Sequence, residues 1–206
     1  MSLEYREPIR RFPWAERPIF GAARAPVASA AIMTAAGRSG IRVQLSGSGA
    51  ASVETGLPVL DRLLERLAEY ARFDLALEVE PGAAEVEVAE AGSALGRALA
   101  EPLRADGARG YGYASMTSSE ALASVVLEVS EEPLVVSNVD LTEARIGGLG
   151  TDVARRFLER LVEGAGLTLH VRLLDGTDTQ HVLEAIFKAL GVALAQATSE
   201  GGPGGR

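Results

Sequence analysis

The sequence predicts an α+β fold built by internal duplication, in which each half-domain pairs one mixed or antiparallel sheet with two covering helices. Three observations predict it: an internal repeat, segments that alternate apolar and polar residues, and helical apolar stripes that follow them. The repeat is the firmest of the three. Leu64-Glu65-Arg66-Leu67 recurs as Leu158-Glu159-Arg160-Leu161, and the match extends through Arg62/Arg156 and Glu69/Glu163. Further on, Ala94-Leu95-Gly96-Arg97-Ala98-Leu99-Ala100 recurs as Ala189-Leu190-Gly191-Val192-Ala193-Leu194-Ala195 at nearly the same offset. Fixed-offset self-similarity reports a repeated structural unit. It divides the chain into halves at 27–105 and 110–198, with Leu67 matching Leu161 and Gly96 matching Gly191.

Each half reads in the same order. Ile41, Val43 and Leu45, like Val125, Leu127 and Val129, put apolar side chains on every second residue, as a half-buried strand does. A helix follows. In the first half Val59, Leu60, Leu63, Leu64 and Leu67 form its stripe, with Pro58 in the first turn, where a missing N–H is harmless. In the second half the stripe is Val153, Phe157, Leu158, Leu161 and Val162, with Thr151 as the expected N-cap. A strand comes next, Phe73 to Val79 or Leu167 to Leu173, and a second helix closes the unit. Residues 1–26, rich in arginine and proline and holding Trp14, read as an extension, and the Gly/Pro-rich residues 199–206 as a disordered tail.

Composition narrows the function. The net charge of −8 argues against nucleic acid or an anionic membrane as the main partner. No run reaches the apolar length of a membrane span, and Arg6, Arg10, Arg11 and Pro13 interrupt any signal-peptide core, which makes cytoplasmic the expected location. With no cysteine, thiolate chemistry is excluded. There are two histidines, His170 and His181, and one lysine, Lys188.

Few side chains are then available for chemistry. His170 stands on the polar face of its strand with Thr168 and Arg172, as a solvated histidine or a single metal ligand. His181, Glu184 and Lys188, at i, i+3 and i+7, share one helical face, which suits either a ligand pair or a Glu184–Lys188 ion pair. Thr177 and Gln180 fit a capping box. Glu85, Glu87 and Glu90 form either a carboxylate cluster for a hard cation or a solvated face. Arg62 neutralises Asp61 or binds an anion. Gly147-Gly148-Leu149-Gly150 precedes a helix and fits a phosphate at its N-terminus, without the lysine of a P-loop.

Several segments, in order, resemble the imidazoleglycerol-phosphate dehydratase family. Thr55-Gly56-Leu57-Pro58-Val59-Leu60-Asp61-Arg62-Leu63-Leu64 is similar to its "(S/T)GIPFLDHML", and Leu167-Thr168-Leu169-His170-Val171 to its "TLHI". The most specific match is Gln180-His181-Val182-Leu183-Glu184-Ala185-Ile186-Phe187-Lys188-Ala189, which resembles "HHxxEAxFKA". Tyr111-Gly112-Tyr113 and Ser119-Glu120-Ala121-Leu122 resemble "RYG" and "DEAL". The resemblance implies a duplicated fold, a homo-oligomer with a trimer as its minimal unit, and dehydration of imidazoleglycerol phosphate in histidine biosynthesis. It also implies a pair of manganese ions held by histidines and glutamates.

This chain departs from the pattern at most metal positions. The histidine of "LDHML" is Arg62, that of "SHG" is Tyr70, and the "HHTxED" run falls on Glu85 to Glu90, in a shortened loop. The first histidine of "HHxxE" is Gln180, and the glutamate near the first strand is Ala36. His170, His181 and Glu184 remain as residual metal ligands, with Glu184 and His181 as the catalytic candidates. On the phosphate side Glu132 replaces the arginine of "SGRP", while Lys188, Arg145 and Arg62 are the candidate phosphate contacts. Two histidines per chain cannot supply a histidine-rich shell, and oligomerisation adds a site with every chain it adds. No cofactor is expected, beyond at most one weakly bound divalent ion. Two functions stay open: a catalytically inactive or impaired relative with a structural or regulatory role, with an intact dehydratase homologue as a candidate partner, or an active enzyme on imidazoleglycerol phosphate or another small phosphorylated substrate.

Overall fold

A computed structural model describes residues 29–33, 40–139, 145–146 and 149–201. The first copy of the unit runs β1 (Ser29–Met33), β2 (Gly40–Gln44), β3 (Ala51–Glu54), α1 (Pro58–Ala71), β4 (Asp74–Glu78) and α2 (Ala84–Leu103). The second runs β5 (Tyr111–Ser118), β6 (Ala121–Val129), β7 (Leu134–Ser137), a small hairpin of β8 (Arg145–Ile146) and β9 (Leu149–Gly150), α3 (Thr151–Ala165), β10 (Leu167–Asp175) and α4 (Thr179–Thr198). The sheet orders are β1-β2-β4-β3 and β5-β6-β10-β7. In each sheet only the last pair is parallel, β3 with β4 and β7 with β10. Two sheets of the same unusual order and the same single parallel pair establish the duplication at the level of topology. Among the described residues the β8–β9 hairpin is found in the second copy only, since β3 leads to α1 in three residues.

The helices lie between the sheets and cross from one copy to the other: α2 packs on α3, and α1 on α4. The crossings are matched atom for atom. A Cβ placed on Gly96 would stand 2.4 Å from the carbonyl oxygen of Leu161, and one placed on Gly191 would stand 2.4 Å from that of Leu67. Glycine is required at both because backbone meets backbone there. Leu67 and Leu161, each fully buried, thus occupy equivalent places. Around them Phe73, Phe157 and Phe187 fill the centre, with the Phe157 and Phe187 rings 5.5 Å apart and tilted by 32°.

Local sequence explains the ends of these elements. Pro58 opens α1, after Leu57 at the N-cap. Asp61 accepts from the N–H of Thr55 at 2.9 Å and from its hydroxyl at 2.5 Å, which fixes the turn into α1. Asp61 therefore has its partner in Thr55, and Arg62 is exposed with no hydrogen bond or ion pair among the described residues. α1 ends on Arg72 in the left-handed conformation, φ 55°. Gly166, with φ 65°, takes the same place after α3. A side chain there is strained, so Arg72→Gly is expected to raise the melting midpoint by about 2 °C in a thermal scan.

Sequence reading and structure differ in several elements. Glu85, Glu87 and Glu90 lie in α2, not in a loop or strand. Glu87 is buried, and its carboxylate accepts the Gly82 N–H at 2.6 Å, closing the start of its own helix, while Glu85 stands 3.8 Å from Arg156 of α3. They form no cation cluster. The N-cap of α4 is Asp178 in place of Thr177: its carboxylate accepts from the N–H groups of Gln180 and His181. A carboxylate one residue nearer the helix reaches both orphan donors, and the Gln180 side chain is released for other work. Ser199, Glu200 and Gly201, assigned to the tail by composition, are hydrogen-bonded to the 107–109 turn, with Glu200 paired to Ala108. The 1–26 extension, Ala36, Gly147, Gly148 and residues 202–206 lie outside the described residues, as do the side chains of Arg145 and Thr151.

Candidate functional site

One polar cluster forms where α1, α4 and the end of β5 meet. α4 contributes Gln180, Glu184 and Lys188, at i, i+4 and i+8 on one face. α1, packed alongside, contributes Arg66, Glu69 and Tyr70. The last two residues of β5, Thr117 and Ser118, complete it.

Glu184 is the centre of the cluster. Its Oε2 accepts from the Ser118 hydroxyl at 2.9 Å, and its Oε1 from the Gln180 amide at 3.1 Å. Burial pushes this carboxyl up, but the Gln180 and Ser118 hydrogen bonds and the charges of Lys188 and Arg66 outweigh it. The carboxyl is held below the usual carboxylate range. Lys188 lies 5.5 Å from the centroid of the Tyr70 ring and donates to the carbonyl oxygen of Thr117 at 3.2 Å, so it turns away from a simple ion pair with Glu184. Arg66 donates to Glu69 at 2.7 Å, and the Glu69 carboxylate raises its guanidinium pKa further.

His181 faces a different partner. Its Nδ1 lies 2.5 Å from Glu120 Oε2, and 3.7 Å from Asp178 Oδ1. Glu120 sits in the tight turn between β5 and β6, after Ser119 in the left-handed conformation with φ 49°, and its other oxygen accepts the Asp178 N–H at 3.1 Å. Its own N–H and that of Asp178, with the His181 ring, hold the Glu120 carboxyl below the usual range against a smaller opposing effect of burial. A carboxylate on one ring nitrogen of a half-exposed histidine fixes the ring and leaves the other nitrogen for a ligand or a proton.

His170 is not part of this cluster. It is exposed on the outer face of the second sheet, beside Val126 and Val136, whereas α4 packs on the inner face. Glu132 lies in the exposed turn after β6, where its N–H donates to the Ser130 hydroxyl. The structure thus brings Glu184 and Lys188 together, sets His181 beside them on Glu120, and leaves His170 apart. Sequence reading assigned no role to Ser118, Glu120, Arg66 or Asp178. Of these Glu120 lay inside the segment Ser119-Glu120-Ala121-Leu122, and Arg66 inside the repeated Leu64-Glu65-Arg66-Leu67.

The donor set of one chain does not fit the manganese pair that the family resemblance implies. Such a centre takes several convergent imidazoles and carboxylates. Among the described residues no group of three or more His, Asp or Glu side chains converges for a metal. His181 is engaged by Glu120, Glu184 by Ser118 and Gln180, and the charges of Lys188 and Arg66 act on Glu184.

A duplicated α+β protein with four helices between two four-stranded sheets, and with the Gln180–Ala189 segment at the α1–α4 crossing, defines the class. Comparison with known proteins gives the family. The family model described as imidazoleglycerol-phosphate dehydratase matches residues 55–194. The imidazoleglycerol-phosphate dehydratase of Syntrophobacter fumaroxidans is 42% identical over 159 residues, covering 75% of this chain and 80% of the relative. That of Aromatoleum aromaticum is 41% identical over 161 residues, covering 76% and 82%. Among solved structures, imidazoleglycerol-phosphate dehydratase from Staphylococcus aureus superposes with a TM-score of 0.76 at 25% identity, covering 84% of this chain and 100% of that one. The Pyrococcus furiosus protein, in complex with (S)-C348, gives 0.71 at 27% identity, covering 84% and 94%. The chain belongs to the imidazoleglycerol-phosphate dehydratase family.

Proposed function

We propose that this chain is a non-catalytic member of its family, which keeps the dehydratase scaffold for a structural or regulatory role. The observation that carries this reading is the engagement of Glu184. The one surviving glutamate of the "HHxxE" segment is hydrogen-bonded by Ser118 and Gln180 and flanked by Lys188 and Arg66. A cation beside a metal ligand opposes a divalent ion, and two histidines per chain are too few to offset it. On this reading the protein holds no manganese pair and at most one weakly bound ion.

A second reading, an active lyase of histidine biosynthesis or an enzyme on another small phosphorylated substrate, has its own support. Relatives bearing the enzyme's name are 41–42% identical over about four-fifths of their length, and the His181–Glu120 pair is suited to acid–base work. In it Glu184 and His181 are catalytic, Lys188, Arg145 and Arg62 hold the phosphate, and His170 joins His181 and Glu184 at a metal only if a second copy brings it.

We also propose a homo-oligomer with a trimer as its minimal unit, in the cytoplasm, with an intact homologue as an additional partner. The outer face of the second sheet supports self-association, since Tyr111, Tyr113, Val126, Leu134 and Leu174 are all at least half exposed or nearly so. No described helix is long and apolar enough to cross a membrane.

Metal analysis after dialysis, alongside an assay for loss of water from imidazoleglycerol phosphate, tests the function. The expected result is manganese well below one ion per chain, with no turnover. About two ions per chain together with product formation would install the second reading in its place.

A further inference from the structure

We infer that the Ser118 and Gln180 hydrogen bonds to the Glu184 carboxylate, with Lys188 spanning the same junction, form a built-in anchor, so that protein groups alone hold the α1–α4–β5 junction and Glu184 ligates no divalent ion. This deepens the non-catalytic reading and can fail separately from it, because it concerns how the junction is held and not whether the chain turns over a substrate.

Three elements meet at one carboxylate. β5 reaches it through the Ser118 hydroxyl, 2.9 Å away, from a residue only 6% exposed. α4 reaches it through Gln180, one turn earlier, at 3.1 Å. α1 contributes charge through Arg66, which Glu69 holds in place at 2.7 Å. Lys188, one turn after Glu184, spans the same junction: it donates to Thr117 of β5 at 3.2 Å and lies over Tyr70 of α1 at 5.5 Å. Each carboxylate oxygen has a hydrogen-bond donor, and the Lys188 and Arg66 charges that act on it have the sign of a metal ion. A half-buried carboxylate with paired oxygens and flanking cations is satisfied in place, and removing one member leaves the rest under-satisfied.

The repeat gives an internal control. By the offset that pairs Ala94 with Ala189, Glu184 corresponds to Ala89 and Gln180 to Glu85. The corresponding α2–α3 crossing has Glu85 3.8 Å from Arg156 and no glutamate at the central place. The two crossings thus both carry arginine on the partner helix, and they differ at the central place, Glu184 bonded to Ser118 of β5 in one and Ala89 in the other.

The test is thermal unfolding of the full chain with a chelator, with no addition, and with about 1 mM manganese(II). The wild-type midpoint is expected to stay within about 1 °C across the three buffers, whereas a site with a dissociation constant a hundredfold below the metal concentration would raise it by several degrees. Ser118→Ala and Lys188→Met are each expected to lower the midpoint by about 3 °C, Glu184→Gln by about 6 °C, equally in all three buffers. Combining Ser118→Ala with Glu184→Gln should add almost nothing to the glutamine variant alone, because the two residues act as one unit. Should Glu184→Gln fail to fold, Gln180→Ala, which removes one exposed donor, is measured in the same buffers and is expected to lose about 2 °C. A manganese-dependent rise that Glu184→Gln or Gln180→Ala abolishes would overturn the anchor, as would additive losses or no loss. Dehydratase turnover in a protein that meets every one of these expectations would overturn only the non-catalytic reading.

Discussion

Gly96→Ala and Gly191→Ala are each expected to lower the melting midpoint by about 6–12 °C, and by closely similar amounts. On an isolated helix the change would be favourable, since alanine exceeds glycine by about 1 kcal/mol in helix propensity. Here the new methyl would stand 2.4 Å from a backbone carbonyl oxygen of the facing helix, Leu161 in one case and Leu67 in the other. No side chain is there to swing aside. The Gly96 position is also 2.9 Å from the Ala165 nitrogen, and the Gly191 position 3.1 Å from that of Ala71, so the whole crossing must part. Overpacking of this kind costs about 1–3 kcal/mol and occasionally more, and a rigid backbone neighbour puts it just above that range, at about 4 kcal/mol. A net loss of roughly 3 kcal/mol remains after the propensity gain. Differential scanning fluorimetry of the two variants measures it. An unchanged or raised midpoint in either would show that the helices do not approach as described.

Asp74→Ala is expected to cost about 3 kcal/mol, read from urea unfolding at unchanged slope. Asp74 begins β4, is 6% exposed, and gathers the chain between β2 and β3 around one oxygen. Its Oδ1 accepts from the N–H groups of Ser48, Gly49 and Ala50 at 2.7, 3.1 and 3.1 Å, and from the Ser48 hydroxyl at 3.1 Å. Gly47 lies so close that a Cβ there would meet the carboxylate at 2.2 Å. Truncation strands those donors, while Asp74→Asn keeps an oxygen for them and should lose only about 1 kcal/mol. A truncation within about 0.5 kcal/mol of wild type would mean the loop finds its partners in water.

The elements that were legible in the sequence are those whose buried residues are large. α1 and α3 show leucine, valine and phenylalanine at helical spacing, and the buried faces are the ones the stripes mark. β5 was missed because its inward positions include Gly112 and Ala114, while Tyr111 and Tyr113 point outward, 51% and 63% exposed. Small residues face inward since α4 comes so near that a Cβ on Gly112 would stand 2.0 Å from the Ala193 carbonyl oxygen. Periodicity of large side chains cannot report a face that must be small. The start of α2 was misread for another reason: Glu85 and Glu87 alternate like a strand's solvent face, and only the fold buries Glu87 against the Gly82 N–H.

The site was legible in its helical part alone. Spacing placed Glu184 and Lys188 on one face, and the structure keeps them there. The partner of His181 is Glu120, 61 residues earlier, and that of Glu184 is Ser118, 66 residues earlier. Hydrogen bonds of such span depend on how a hairpin turn lands on a helix, which no local pattern encodes. His170 shows the converse, a residue that motif resemblance groups with His181 and that the pleat of β10 turns to the opposite side of the sheet.

The reciprocal contact, Gly96 on Leu161 and Gly191 on Leu67, has the form of an isologous association, in which each surface is both key and lock. Two separate half-length chains would make that contact at the mercy of dilution. Joined through the residues between α2 and β5, the halves meet at an effective concentration in the millimolar range, whatever the protein's abundance. Covalent union also releases them from identity. In a symmetric pair every substitution appears twice, so a glutamate needed at one crossing is imposed on the other. The tandem chain escapes that constraint, with Glu184 in one copy against Ala89 in the other, and a β8–β9 hairpin inserted where its counterpart has three residues.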